Sequence, residues 1–160
     1  MSRLRLLRLD AKARSDLSSI ARKIQSLYGL NVEVADSYRA DAARRWNSTE
    51  ILRQLKRAGP AGSIDVGLTS VDIYSAGLAY VFGEAEIGGS VAVVSDYRFK
   101  TRPDCVEKLI IHELGHVFGL EHCNGRCVMR LSRTVKDVAD KPAFYCADCA
   151  QMVAEFLSKK

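Results

Sequence analysis

The sequence predicts an α/β (α+β) fold in a single domain spanning residues 1–160. Three observations lead there. The N-terminal third alternates strand and helix periodicities, the middle reads as successive strands, and a helix around residue 112 follows directly. At 160 residues and 48% hydrophobic, the chain can bury one core, and no apolar run of roughly 18 residues suggests a membrane span. No repeat, low-complexity tract or linker divides it.

In chain order, LRLLRL near the N-terminus alternates like a strand. Residues 11 to 28 carry Leu17, Ile20, Ile24 and Leu27 at helical spacing, and Gly29 supplies the stop. LNVEVAD then reads as a second strand. Asn47, Ser48 and Thr49 offer a polar cap before Ile51, Leu52 and Leu55, which predicts a second helix closed by GPAG at 59 to 62. Strands follow in SIDVGLTSVDI, AYVFGEAEI and GSVAVVSDYRF, with EIGGS at 86 to 90 as a hairpin connection. The next helix begins after Pro103 and Asp104, with Val106, Leu109, Ile110 and Leu114 as its apolar face. A last helix, about 148 to 158, packs back through Met152, Val153, Phe156 and Leu157.

The chemistry concentrates in HELGHVFGLEHC, which begins at His112 and contains all three histidines of the chain. His112 and His116 are four residues apart, so on a helix both imidazoles project from one face and can meet a single ion. A third ligand six residues further along a straight helix would lie about 9 Å up the axis and point away, so the chain must turn first. Gly119 can supply that turn in the left-handed conformation and return His122 to the metal. Three neutral imidazoles leave a fourth position open, as in catalytic zinc sites. Glu113 is rotated about 100° from His112 and faces the cleft as the candidate general base.

A second cluster is made by Cys123, Cys127, Cys146 and Cys149, a CxxxC and a CxxC separated by 18 residues. The spacing suits a structural zinc held by four thiolates. Disulfides or independent thiols are the competing readings. The N-terminus has arginines at 3, 5 and 8 and no apolar core of signal-peptide length, so export is not expected. Reduced thiols and a cytoplasmic location are the expectation. Cys105 is left over and is expected to pack as a small hydrophobe, with a regulatory thiol as the alternative. Met129, on residue type alone, is an ordinary core methionine.

HELGHVFGLEHC, followed by NGRCVM and then CADC, resembles the archaemetzincin signature. The motif covers residues 112 to 149, and LTSVDIY, YVFGEA and VVSDYR also look like family segments. Two loop spacers are each one residue shorter than in that signature. The resemblance implies a metzincin-like fold, with a twisted mixed sheet above the cleft, an active-site helix below it and a zinc-stapled C-terminal helix. It also implies two zinc ions: a catalytic one on His112, His116 and His122, and a structural one on the four cysteines. Glu113 becomes the general base of peptide hydrolysis, and Met129 the Met-turn residue flooring the metal. Tyr145 is a transition-state candidate by proximity alone and is not assigned to the catalytic set. Tyr80 to Ala85 is the candidate edge strand for a peptide or protein substrate, against a half-buried strand without substrate contact.

Two readings from other classes stand beside the peptidase: a non-hydrolytic two-zinc module that binds a protein or peptide, and a basic nucleic-acid-binding zinc protein. The formal charge is +5, which four thiolates and two zinc ions together leave unchanged. The basic residues are spread and lack interleaved aromatics, so a nucleic-acid partner is not expected.

Overall fold

The computed structural model describes residues 3–160, so the first two residues of the expected domain lie outside it. Its strands are β1 (Arg3–Arg8), β2 (Asn31–Asp36), β3 (Arg45–Asn47), β4 (Ser63–Thr69), β5 (Asp72–Tyr74), β6 (Gly83–Ala85) and β7 (Val91–Ser95). Its helices are α1 (Leu17–Tyr28), α2 (Ser48–Ala58), α3 (Pro103–Val117), α4 (Val135–Asp140) and α5 (Ala147–Ser158). Five strands form one mixed sheet in the order β2-β1-β4-β7-β6, parallel except for β6, which runs antiparallel at the edge.

Side-chain alternation along the strands builds two cores. Leu4, Leu6, Ile64, Val66, Leu68, Ala92 and Val94 face α1 and α3. Leu7, Leu9, Val91 and Val93 face the other way, onto Trp46 and the α2 residues Ile51, Leu52 and Leu55. Covering both faces of parallel strands is why β4 is buried along its whole length. This is the mixed α/β architecture expected from the sequence.

Several boundaries differ. Helix α1 starts at Leu17 and not at residue 11, because the Asp16 carboxylate caps the Ser19 N–H at 3.0 Å. Asp10 instead accepts from the Thr69 hydroxyl and the Ser70 N–H. Leu27 and Met152, both expected to pack inward, are about half exposed. SIDVGLTSVDI divides after Thr69, and β5 pairs with β3 in a separate parallel two-stranded sheet. Only Gly83–Ala85 of AYVFGEAEI is strand. Strand β3 and helix α4 are too short to show a period, although Thr134 and Asp137 form a capping box at the spacing that marks a helix start.

Helix α3 begins at Pro103 and is buried on almost every side, not on one stripe, because the sheet lies over one face and the C-terminal segment under the other. The β6–β7 hairpin turns where expected and is tied to the end of α3, since the Gly88 N–H donates to the His116 carbonyl at 2.9 Å. Among the described residues no helix is long and apolar enough to cross a membrane.

Candidate functional site

His112 and His116 sit one turn apart in the last half of α3. The helix then breaks. The Leu120 N–H reaches back to the Gly115 carbonyl at 2.9 Å, and Gly119 takes a φ of 90°, which a side chain would strain. His122 is thereby brought beside the other two rings, with centroids 5.4 Å from His112 and 4.9 Å from His116. One nitrogen from each ring lies within 4.8 Å of the others.

The second nitrogens explain the ring orientations. His112 Nδ1 donates to the Val128 carbonyl at 2.8 Å and His116 Nδ1 donates to the Leu120 carbonyl at 2.7 Å. Fixing those protons leaves both Nε2 lone pairs free for a metal. Burial pushes His112 down to about 3, helped by the Lys141 ammonium, and lowers His116 and His122 as well. All three are therefore neutral at ordinary pH, the form that ligates. The donor set and its hydrogen-bonded support fit a zinc ion with an open position.

Glu113 lies next to His112 in sequence and lines the same cavity of about 570 Å3. Burial pushes its carboxyl up to about 8, with the Lys141 cation pulling the other way and Glu84 adding to the rise. The edge strand closes over it. A Cβ on Gly83 would sit 2.6 Å from Glu113 Oε1, so only glycine lets β6 pass so near the carboxylate. Phe82, Glu84 and Glu86 face the β7 ladder in hydrogen-bonded register, as the Ser95 N–H to Phe82 and Glu86 N–H to Val91 contacts show. In an antiparallel pair the alternate residues, Gly83 and Ala85, turn their main-chain groups outward to the cavity side.

Below the histidines, Met129 is fully buried, and a Cβ on Gly115 would overlap its sulfur. The methionine thus packs against the helix turn between the two histidines. Tyr145 does not reach the cavity. Its hydroxyl donates to the Ile111 carbonyl at 2.8 Å and bonds the Tyr28 hydroxyl at 2.7 Å, so it braces the back of α3.

The four clustered cysteines also converge, each offering a sulfur within 4.8 Å of the rest. Cys123 and Cys146 sulfurs are 3.9 Å apart, far beyond a disulfide at about 2.05 Å. That separation is close to the edge of a zinc–thiolate tetrahedron with bonds of about 2.3 Å. Backbone N–H groups of Met129 and Cys146 point at Cys127 sulfur at 3.4 and 3.3 Å, and that of Gly125 at Cys123 sulfur at 3.4 Å. These donors suit thiolates. Burial holds the Cys127 and Cys149 thiols up, while the Cys149 N–H pulls Cys146 down. All five cysteines are free, and Cys105 is buried with its thiol pushed up by burial and the Asp104 charge. It packs in the α3 core.

One residue of the cavity wall escaped the sequence reading. Lys141, just after α4, is only 5% exposed and places its ammonium 3.2 Å from His112 Nδ1 and 3.2 Å from the Arg130 carbonyl. Burial pulls it down to about 8. A lysine outside any periodic pattern reads as surface, so no local signal marks it.

Known proteins share this fold. The family model described as peptidase family M54 matches residues 5–155. The chain is 32% identical to an archaemetzincin of Natronomonas pharaonis over 151 residues, 81% of this chain and 87% of that one. It is similar to the crystal structure of archaemetzincin from Methanopyrus kandleri, with a TM-score of 0.85 at 31% identity, covering 98% of this chain and 96% of that one. It is also similar to the archaemetzincin of Archaeoglobus fulgidus complexed with malonate, with a TM-score of 0.82 at 35% identity, covering 94% of this chain and 99% of that one.

Proposed function

The chain belongs to peptidase family M54, the archaemetzincins, and is a zinc metallopeptidase; from this premise we propose that it hydrolyses peptide bonds with Glu113 as the proton carrier. His112, His116 and His122 would hold a catalytic zinc, and Cys123, Cys127, Cys146 and Cys149 a second, structural one. When bound, the catalytic zinc acidifies a water and polarises the scissile carbonyl.

The rest of the reaction falls to the protein. Glu113 removes a proton from the attacking water and delivers it to the leaving nitrogen, so no covalent bond to the enzyme is needed. Burial makes the Glu113 carboxylate a stronger proton acceptor once ionised, and the Lys141 cation and a bound zinc would favour that ionised form. Gly83 and Ala85 offer outward main-chain groups to which an extended substrate can add as a further strand. Apolar walls from Phe82 and Leu109 exclude bulk water around Glu113. Met129 and Gly119 act on the geometry of the ligands without touching substrate.

The observation that carries the reading is the convergence of three neutral imidazoles and one buried carboxyl on a single cavity bordered by a free sheet edge. The test is a peptide-library digest read by mass spectrometry, with the Glu113→Gln protein as the blank. Fragments made by the native protein and missing from the blank are expected. Equal fragments in both would remove Glu113 from its role.

A further inference from the structure

We propose that the cavity recognises a substrate carboxylate on the leaving-group side of the scissile bond, with the Lys141 ammonium as its partner. This rests on the peptidase reading above and names the substrate class that the site selects.

The direction of the bound peptide follows from the sheet. A substrate that adds antiparallel to β6, the more stable pairing, runs from Ala85 toward Gly83. Gly83 lies against the Glu113 carboxylate, so the scissile bond sits beside it. Residues beyond that bond must continue toward Phe82 and Tyr80. There the cavity is bridged, because the Tyr80 hydroxyl donates to the Arg133 carbonyl at 3.0 Å and both residues are in its wall. The bridge is braced. The Arg98 guanidinium lies 3.9 Å over the Tyr80 ring and is itself held by Asp72 at 3.1 Å. The leaving-group side is therefore short and walled by this bridge.

Lys141 belongs to this walled end, since its ammonium donates to the Arg130 carbonyl in the segment that carries Arg133. An ammonium has three protons to place. His112 Nδ1 cannot accept one while its own proton goes to the Val128 carbonyl. No carboxylate among the described residues comes within 4 Å of the Lys141 ammonium; Glu113 acts on it only through space, and the cavity's other acid, Glu84, is held by the Ser48 and Thr49 hydroxyls. A buried cation with unsatisfied donors is costly, and an incoming anion removes that cost. A carboxylate presented one short step past the scissile bond has the right charge, and low-dielectric walls strengthen the contact. That carboxylate is either the C-terminus of the peptide or an acidic side chain at the first leaving-side position.

The experiment uses zinc-loaded protein and short alanine–leucine peptides with an N-terminal fluorophore. Each is prepared as free acid and as C-terminal amide, and a second amide set carries one aspartate moved along the chain. The C-terminal source predicts that kcat/KM for the free acid exceeds that for its amide by at least about ten-fold. The side-chain source predicts the same excess when aspartate follows the scissile bond in the amide set. In Lys141→Met the relevant ratio should fall toward one, and Lys141→Arg should keep most of it. Because ratios are compared, a general loss of turnover does not mimic the result. Should Lys141→Met be inactive, anisotropy of the same peptides on zinc-loaded Glu113→Gln and Glu113→Gln/Lys141→Met proteins decides by the same ratios. Cleavage that depends on Glu113 but is indifferent to both carboxylates overturns the Lys141 assignment and leaves the peptidase reading standing. Absence of any Glu113-dependent cleavage, with carboxylate-selective binding retained, overturns the peptidase reading alone.

Discussion

Glu113 shows how much a single position depends on its surroundings. Its neighbours in sequence say only that it lies beside a candidate ligand; its raised pKa is made by the burial under the sheet edge that closes over it. Replacing it with alanine should leave both proposed metal sites filled and lower turnover by roughly 10²–10⁴-fold, as metal analysis beside a peptide assay would record. Burial also ties this residue to stability. A carboxyl raised from 4.5 to about 8 holds its proton longer in the folded state, so its stabilising contribution is complete below about 4.5 and is lost as the pH rises through about 8. With the histidine site metal-free, Glu113→Gln should therefore gain thermal stability over the native protein progressively from about pH 5 to about pH 9. A difference that stays flat would contradict the burial argument. His112 has the opposite sign, since a histidine lowered to about 3 destabilises the fold as pH falls below 6.5, but both proteins share that term. Gly115 is a packing case. Its alanine variant must push the Met129 sulfur aside and should cost about 1–3 kcal/mol in chemical denaturation.

Among the elements, α3 and the turn that ends it hold the ligand geometry. The four-residue spacing of His112 and His116 belongs to any helix, but His122 depends on the backbone reversing at Gly119. Gly119→Ala should cost about 1–2 kcal/mol for the left-handed conformation. It should also weaken zinc binding at the histidine site, measured by competition with a chelator, while the cysteine site keeps its affinity. Elements that obey a period were legible: α2 with its Asn47 cap, α1 with its Gly29 stop, and the hairpin between β6 and β7. Those that exist only through tertiary pairing were not. Strand β3 is three residues long and forms because β5 lies alongside it, and the apolar spacing that included Leu27 continued past the face that the core covers.

Across the whole molecule, the cysteine cluster and the histidine cluster are mechanically joined. Cys123 follows His122, its N–H donates to the Met129 carbonyl at 3.0 Å, and the Val128 carbonyl that orients His112 lies next to Cys127. Emptying the proposed cysteine metal site should therefore loosen residues 123–158 and the histidine site together, whereas emptying the proposed histidine site alone should leave the fold largely intact. Hydrogen exchange on Cys146→Ser and on His116→Ala would separate these outcomes: early exchange confined to residues 123–158 in the cysteine variant, with the histidine turn still protected, would oppose the coupling. The sequence by itself determined the candidate ligand sets, the candidate base, the turn and the layered α/β class, because helix and strand periods, glycine freedom and donor chemistry are local properties of residues. Only the tertiary structure decided that Glu113 is buried under Gly83, that Tyr145 braces the helix from behind and that Lys141 stands beside His112. Each of those depends on segments far apart in the chain meeting, and no local period encodes which side chains will share one volume or how far they will be removed from water.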